Sequence, residues 1–191
     1  MADAADSAVP EDRDPGTAFR LPIKGTVTMK IIICVDENLG YSFNKRRQSR
    51  DKTMREHMLG VLRKEDAGLF VNAYTARSLE SDGLLTEAVT VVDEADGRED
   101  GFLRAAEEAG GWAFVENTDI TGWLDRIDEM IVYHWNRLYL SDLSIPESFM
   151  KSFRTVTKEL FRGTSHDSMH YTRMVKIRRR TSRRKKNIRE S

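Results

Sequence analysis

Between Phe43 and Met58 the chain reads FNKRRQSRDKTMREHM, a run crowded with groups that bind anions. Lys45 is a compact cationic donor, and Arg46, Arg47 and Arg50 are fork-shaped ones; both kinds suit phosphate or carboxylate. Ser49 adds a neutral hydroxyl, and the amides of Asn44 and Gln48 suit the polar edges of a ligand. Asp51 follows at the start of a predicted helix, where the first turn stabilises an ionised carboxylate. Capping that helix is its plainer use, and acid chemistry the sharper one. The run therefore predicts a pocket for a small anionic ligand. Its competitor is a charged loop whose arginines are satisfied internally by an acidic body.

Two further groups qualify. Asn72 and Thr75, with Asn117 beside Glu116, end predicted strands and would stand opposite the basic run. The segment YHWNRLYLSD sets Trp135, Asn136, Arg137 and Tyr139 just beyond another strand, and aromatic and arginine side chains together can stack on bases. A loop folded over the core explains the same residues. No phosphate loop, nucleophile elbow or Cys-x-x-Cys pair is present, and His57, His134, His166 and His170 do not have the spacing of a two-metal hydrolase. No cofactor and no metal is expected.

These residues must be positioned by elements, and periodicity supplies them. KIIICV, Lys30 to Val35, is a β-branched run of the kind buried on both faces of a sheet. Met54, Met58, Val61 and Leu62 follow at helical spacing, with Ser49 as expected N-cap and Gly68 past the end. LFVNAY, EAVTVV, WAFVE and MIVYHW read as further strands. EDGFLRAAEEAGG reads as a helix burying Phe102, Ala105, Ala106 and Ala109 and stopped by Gly110-Gly111, and Thr121 to Ile127 as a short helix. FRTVTKELF and HYTRMVKI have no helix between them and should pair antiparallel. The expected fold is α/β, a mostly parallel sheet with helices on its faces and an antiparallel C-terminal hairpin.

Composition sets the outer limits. A chain of 191 residues with 39% hydrophobic content supports one core, expected over residues 29–177. The formal net charge of +0 divides into −2 over residues 1–28, −7 over the next 144 residues and +9 from Arg173 onward. Residues 1–28 hold three of the four prolines without apolar periodicity and read as a disordered extension; translation starting at Met29 is the alternative. Residues 178–191 read as a basic disordered tail, with RNA or another anionic surface as its possible partner. A lone Cys34 excludes an internal disulfide and favours a reducing setting. The chain has neither an apolar stretch long enough for a membrane span nor the pattern of a signal peptide, so a cytoplasmic protein is expected.

In order and partly in wording, the chain resembles the dihydrofolate reductase fold. IIICVDEN is similar to that family's first strand and its Val-Asp-Glu-Asn turn, and LFVNAYTARSL matches at Thr75 and Ser78 the spacing of a Gly-Arg-x-Thr-x-x-Ser segment. VENTDITGWLDRIDEMIVYH runs without a gap against the family's strand, glycine turn, helix and strand, and SHDSMHYTRMVKIRR looks like its closing hairpin. The resemblance implies a substrate-binding acid at Asp51. It also implies a lost NADPH site, because the glycine pair that admits the pyrophosphate is Glu116 and Asn117 here and the phosphate-pairing arginine is Ala73. In wording the chain is also similar to small bacterial proteins sharing CVDENxGxxFNKRRQSRD and FVEN, some of which carry the label ribonuclease Z. That label implies a two-zinc His-x-His-x-Asp-His cluster, which the four histidines do not form.

The reading of the whole is a domain that binds a small anionic ligand, nucleotide-like or pterin-like, near Arg46, Arg47 and Asp51. Its alternative is an RNA-binding protein or ribonuclease working through the tail, Trp135 and Arg137.

Overall fold

The computed structural model describes residues 28–93 and 99–178. The readings of an N-terminal extension and a basic tail fall almost wholly outside them. β1 (Met29–Val35) is the spine. It lies between β6 (Trp112–Val115) and β7 (Ile127–His134), parallel to both. β4 (Leu69–Asn72) and β5 (Val89–Val92) extend the sheet on one side. On the other, β10 (Met169–Lys176) runs antiparallel to β7, and β9 (Phe153–Phe161) antiparallel to β10. The order β5-β4-β6-β1-β7-β10-β9 is the mostly parallel sheet with a closing hairpin expected from the pattern.

Strand alternation divides the core in two. Ile32 and Cys34 of β1, with Phe114, Ile131 and Tyr133, face Met54, Met58, Leu59 and Leu62 of α1 (Lys52–Lys64) and Ala76 and Leu79 of α2 (Ala73–Ser81). Met29, Ile31, Ile33 and Val35, with Ala113, Val115 and Val132, face Phe102, Leu103 and Ala106 of α3 (Gly101–Ala109) and Trp123 of the 3-10 turn Thr121–Arg126. A strand buried on both faces needs a helix on each, which is why β1 reads as an unbroken apolar run.

Four details differ from expectation. The N-cap of α1 is Asp51, not Ser49: its carboxylate accepts from Met54 N, which a serine two residues earlier has no register to do. The same helix ends at Lys64, with left-handed Asp66 in the terminating position rather than Gly68. The strand LFVNAY stops at Asn72 because the Asn72 side chain caps Thr75 N and starts α2, so Tyr74 and Thr75 are helical. α3 buries Leu103 in place of Ala109, which is exposed in its last turn.

The basic run is not a plain loop. β2 (Gly40–Phe43) and β3 (Arg46–Arg47) form a hairpin, Phe43 opposite Arg46, and β8 (Leu143–Ser144) joins β2 to make a second, small sheet. Asn44 and Lys45 both have positive φ, 54° and 58°, as the turn of a tight two-residue hairpin requires. A short helix, α4 (Glu147–Met150), leads into β9. No helix among the described residues is long and apolar enough to cross a membrane.

Candidate functional site

The carboxyl ends of β1, β4 and β6 deliver Asp36, Asn72 and Glu116 to one edge of the sheet, and the β2–β3 hairpin folds over it. Asp36 is the fastener. Its Oδ1 accepts from the amides of Asn38 (2.9 Å) and Gly40 (2.8 Å), and its Oδ2 from Gln48 Nε2 (3.1 Å) and Tyr139 N (3.2 Å). One buried carboxylate thus ties β1 to both the hairpin and the segment after β7. Gln48, one of the expected ligand donors, is used in holding the hairpin down.

Beneath the hairpin lies a closed charge network. Arg55, fully buried on α1, donates to Glu116 Oε1 (2.8 Å), Asp82 Oδ2 (2.7 Å) and Ser78 Oγ (2.7 Å). Arg47 reaches the same Ser78 (2.8 Å), lies 3.1 Å from Glu116 Oε2 in an ion pair without hydrogen-bond alignment, and stacks on the Tyr74 ring. Arg50 closes on Asp82 from outside. Desolvation opposes a buried guanidinium, yet Glu116 and Asp82 together raise the Arg55 pKa above its ordinary value. Lys45 pairs with Glu99 on the surface. Of Lys45, Arg46, Arg47 and Arg50, Arg46 alone shows no ion pair with the described residues; it is exposed.

A second cluster surrounds Asp51, which is 1% exposed. The loop after β9 folds over it: Ser165 donates to Asp51 Oδ2 from its amide (2.6 Å), and its hydroxyl lies 3.0 Å away. Gly163 approaches so closely that a Cβ there would stand 2.4 Å from Oδ2. Burial alone would push the Asp51 carboxyl up, but hydrogen bonds from the Ser165, Met54 and Thr164 amides outweigh it and hold the pKa at about 2. His166, absent from the expected site, is buried beside it, Nδ1 3.4 Å from Oδ2 and Nε2 3.3 Å from Ser49 Oγ and 2.9 Å from Tyr139 Oη. Trp135 stacks on its ring at 4.5 Å. The only sequence signal was the SHD turn between two strands, which periodicity treats as a connection.

A wide-mouthed cleft of about 400 Å³ opens between the hairpin and the segment after β7, lined by Phe43, Asn44, Arg46, Arg47, Gln48 and Tyr139 with Leu140 at its lip. Five expected or alternative site residues therefore share one cavity. Asn72 and Asn117 do not join them: Asn72 Nδ2 donates to Asn117 Oδ1 (2.9 Å), tying the end of β4 to the turn after β6. Thr75 is buried in α2. Asn136 is engaged with Ser168 and His170, and Arg137 is exposed. Trp135 is 2% exposed with His166 against its ring, which leaves no face for a base. Among the described residues no three His, Cys, Asp or Glu side chains group as metal ligands.

No family model and no curated protein sequence matches the chain. Solved structures do. The dihydrofolate reductase from Enterococcus faecalis, complexed with NADP(H) and RAB-propyl, superposes with a TM-score of 0.54 over 80% of this chain and 98% of that one, at 10% sequence identity. The fold is that of dihydrofolate reductase. At this identity the likeness extends to architecture alone, and the site residues stand on their own geometry. Glu116 and Asn117 leave β6 as a paired acid and amide, Ala73 opens α2, and Asp51 is covered by Ser165.

Proposed function

We propose that this domain binds a small anionic compound with a planar ring, of nucleotide or pterin type, in the cleft between the β2–β3 hairpin and Tyr139–Leu140. The observation that carries the reading is Arg46, an exposed guanidinium without an acidic partner among the described residues, at the wall of a cavity whose apolar sides are Phe43 and Leu140, 43% and 74% exposed. A cavity of this size with a few convergent polar groups suits one small molecule, and an unengaged arginine suits its phosphate or carboxylate. Arg47 supports the wall rather than the ligand, because Glu116, Ser78 and Tyr74 hold it. Asn44 presents its side chain beside Arg46 on the hairpin turn.

Nicotinamide dinucleotide does not fit these residues. Glu116 and Asn117 stand where the resemblance puts a glycine pair; the carboxylate is buried against Arg55 and Arg47, and the Asn117 amide is bonded to Asn72. A pyrophosphate approaching that turn would meet an acid and two side chains instead of bare backbone. The reading is therefore of a binding protein on a reductase fold, without that cofactor, and in a reducing cytoplasm that keeps the buried thiol of Cys34 free.

The test is a thermal-shift series on the full chain with nucleoside monophosphates, a pterin carboxylate, folate and NADPH. A nucleotide or pterin should raise the melting temperature of wild type and not of Arg46→Ala, whose unliganded melting temperature should be unchanged. An NADPH shift that survives Arg46→Ala would sink the reading.

A further inference from the structure

Ser49, His166 and Asp51 stand in line. Ser49 Oγ is 3.3 Å from His166 Nε2, and His166 Nδ1 is 3.4 Å from Asp51 Oδ2. The three come from separate places, Ser49 from the end of the hairpin, Asp51 from the cap of α1 and His166 from the β9–β10 loop.

The protonation pattern follows from the neighbours. Asp51 is held ionised by three amide donors, so the groups beside it must present hydrogens. Nδ1 faces Asp51 Oδ2 and Ser165 Oγ (2.9 Å), and Ser165 Oγ is itself 3.0 Å from Oδ2. An acceptor-only carboxylate at the end of that chain favours the hydrogen on Nδ1, passed directly or through the Ser165 hydroxyl. Nε2 is then the bare nitrogen. It faces two hydroxyls, Ser49 and Tyr139. The stacked Trp135 ring holds the imidazole in plane.

We propose that Ser49 is a nucleophile activated by His166 and that the protein hydrolyses an activated carboxylic ester. In the first step Ser49 Oγ bonds to the carbonyl carbon while its proton passes to Nε2. The ester C–O bond then breaks and the leaving alkoxide takes that proton. Water repeats the sequence on the acyl-serine, releasing the carboxylic acid and restoring Ser49. The atoms balance with water as the sole co-reactant. Ser49 and His166 touch the reacting atoms, whereas Asp51 and Ser165 position the imidazole. Tyr139 is the resting partner of Nε2, closer than Ser49 by 0.4 Å, and so restrains the nucleophile.

Neither this site nor its test depends on the ligand of the cleft. The full-length protein is incubated with a fluorophosphonate, whose phosphorus takes Ser49 Oγ and expels fluoride, and the adduct is located by peptide mass spectrometry. Expected is one adduct on Ser49, none in Ser49→Ala at unchanged melting temperature, and a rate reduced at least ~100-fold in His166→Gln. Because His166 is buried and its replacement can disturb the loop, Tyr139→Phe gives a second reading: freeing Nε2 for Ser49 should speed labelling several-fold. Absence of an adduct on Ser49 in the folded wild type overturns the proposal. So does labelling that is equally fast in His166→Gln and unaffected by Tyr139→Phe.

Discussion

Arg55 Nη2 and Glu116 Oε1 lie 2.8 Å apart under the carboxyl end of the sheet, the arginine with no exposed surface and the glutamate with 5%. Such a pair is costly to break by halves, because removing one partner strands the other charge, while removing both leaves Asp82 to Arg50 and Arg47 to Ser78. Glu116→Gln should therefore lower unfolding free energy by about 3 kcal/mol, read from urea midpoints. The double replacement Arg55→Met with Glu116→Leu should recover most of that loss. A double-mutant cycle showing no coupling would mean that Asp82 alone satisfies Arg55.

Asp51 ties acid stability to the loop over α1. Its folded pKa, about 2 against an ordinary 3.8, is depressed, so its contribution is present in full above about pH 4 and lost as pH falls toward 2. The difference corresponds to about 2 kcal/mol. Asp51→Asn should be less stable than wild type at pH 7 and should show a shallower loss of stability between pH 4 and 2. Chemical denaturation at four pH values measures both.

His134, opposite His170 on β10, also destabilises the fold as pH falls, but in a higher window. Burial first, then the neighbouring His170 and Lys158, push its pKa down from 6.5 to about 4. The unfolded chain therefore takes up a proton near 6.5 that the folded chain refuses until about 4. Stability from this residue is intact above 6.5 and is lost as pH falls through that window, by about 3 kcal/mol at most. His134→Gln should flatten the stability profile between pH 6.5 and 4 without altering the limb below 4, which belongs to carboxylates such as Asp51.

What was legible in the sequence follows the strength of the burial signal. β1 was readable because burial on both faces leaves no room for a polar residue between Ile31 and Val35. The β9–β10 hairpin was readable because two strand-like runs follow one another with no helical segment between them, although β9 itself is mostly exposed. The β2–β3 hairpin was hidden, because its turn is Asn44-Lys45 where a glycine would have marked it, and α2 was hidden behind the strand run that ends in its own cap, Asn72. At the site, residue types were legible and pairings were not. Nothing in KRRQSRD distinguishes Arg46, which faces the cleft, from Arg47, which faces Glu116; that choice is made by strand alternation within a two-residue strand. His166 was invisible for a related reason, since contact with Ser49, 117 residues away, exists only after the sheet has formed.

The end of α1 offers a change that should stabilise the protein without touching either cluster. Ala67 N bonds to Leu62 O (3.0 Å) and Asp66 N to Arg63 O (3.3 Å), the paired closure in which the residue between must be left-handed. That residue is Asp66, at φ 52°. Aspartate tolerates this conformation better than most side chains, yet glycine enters it without the clash of a Cβ. Against that gain stands the larger freedom glycine gives the unfolded chain. At a helix terminus the first effect prevails, because Asp66 is exposed and no described partner holds its carboxylate. Removing an acid beside the helix C-terminus also relieves repulsion with the dipole. Asp66→Gly should raise stability by about 0.5–1 kcal/mol, seen as a rise in melting temperature of a few degrees. Asp66→Val should lower it by a similar or larger amount, since a β-branched residue cannot adopt that φ without strain. Equal melting temperatures for the two variants would show that the helix end frays in solution instead of closing on Leu62.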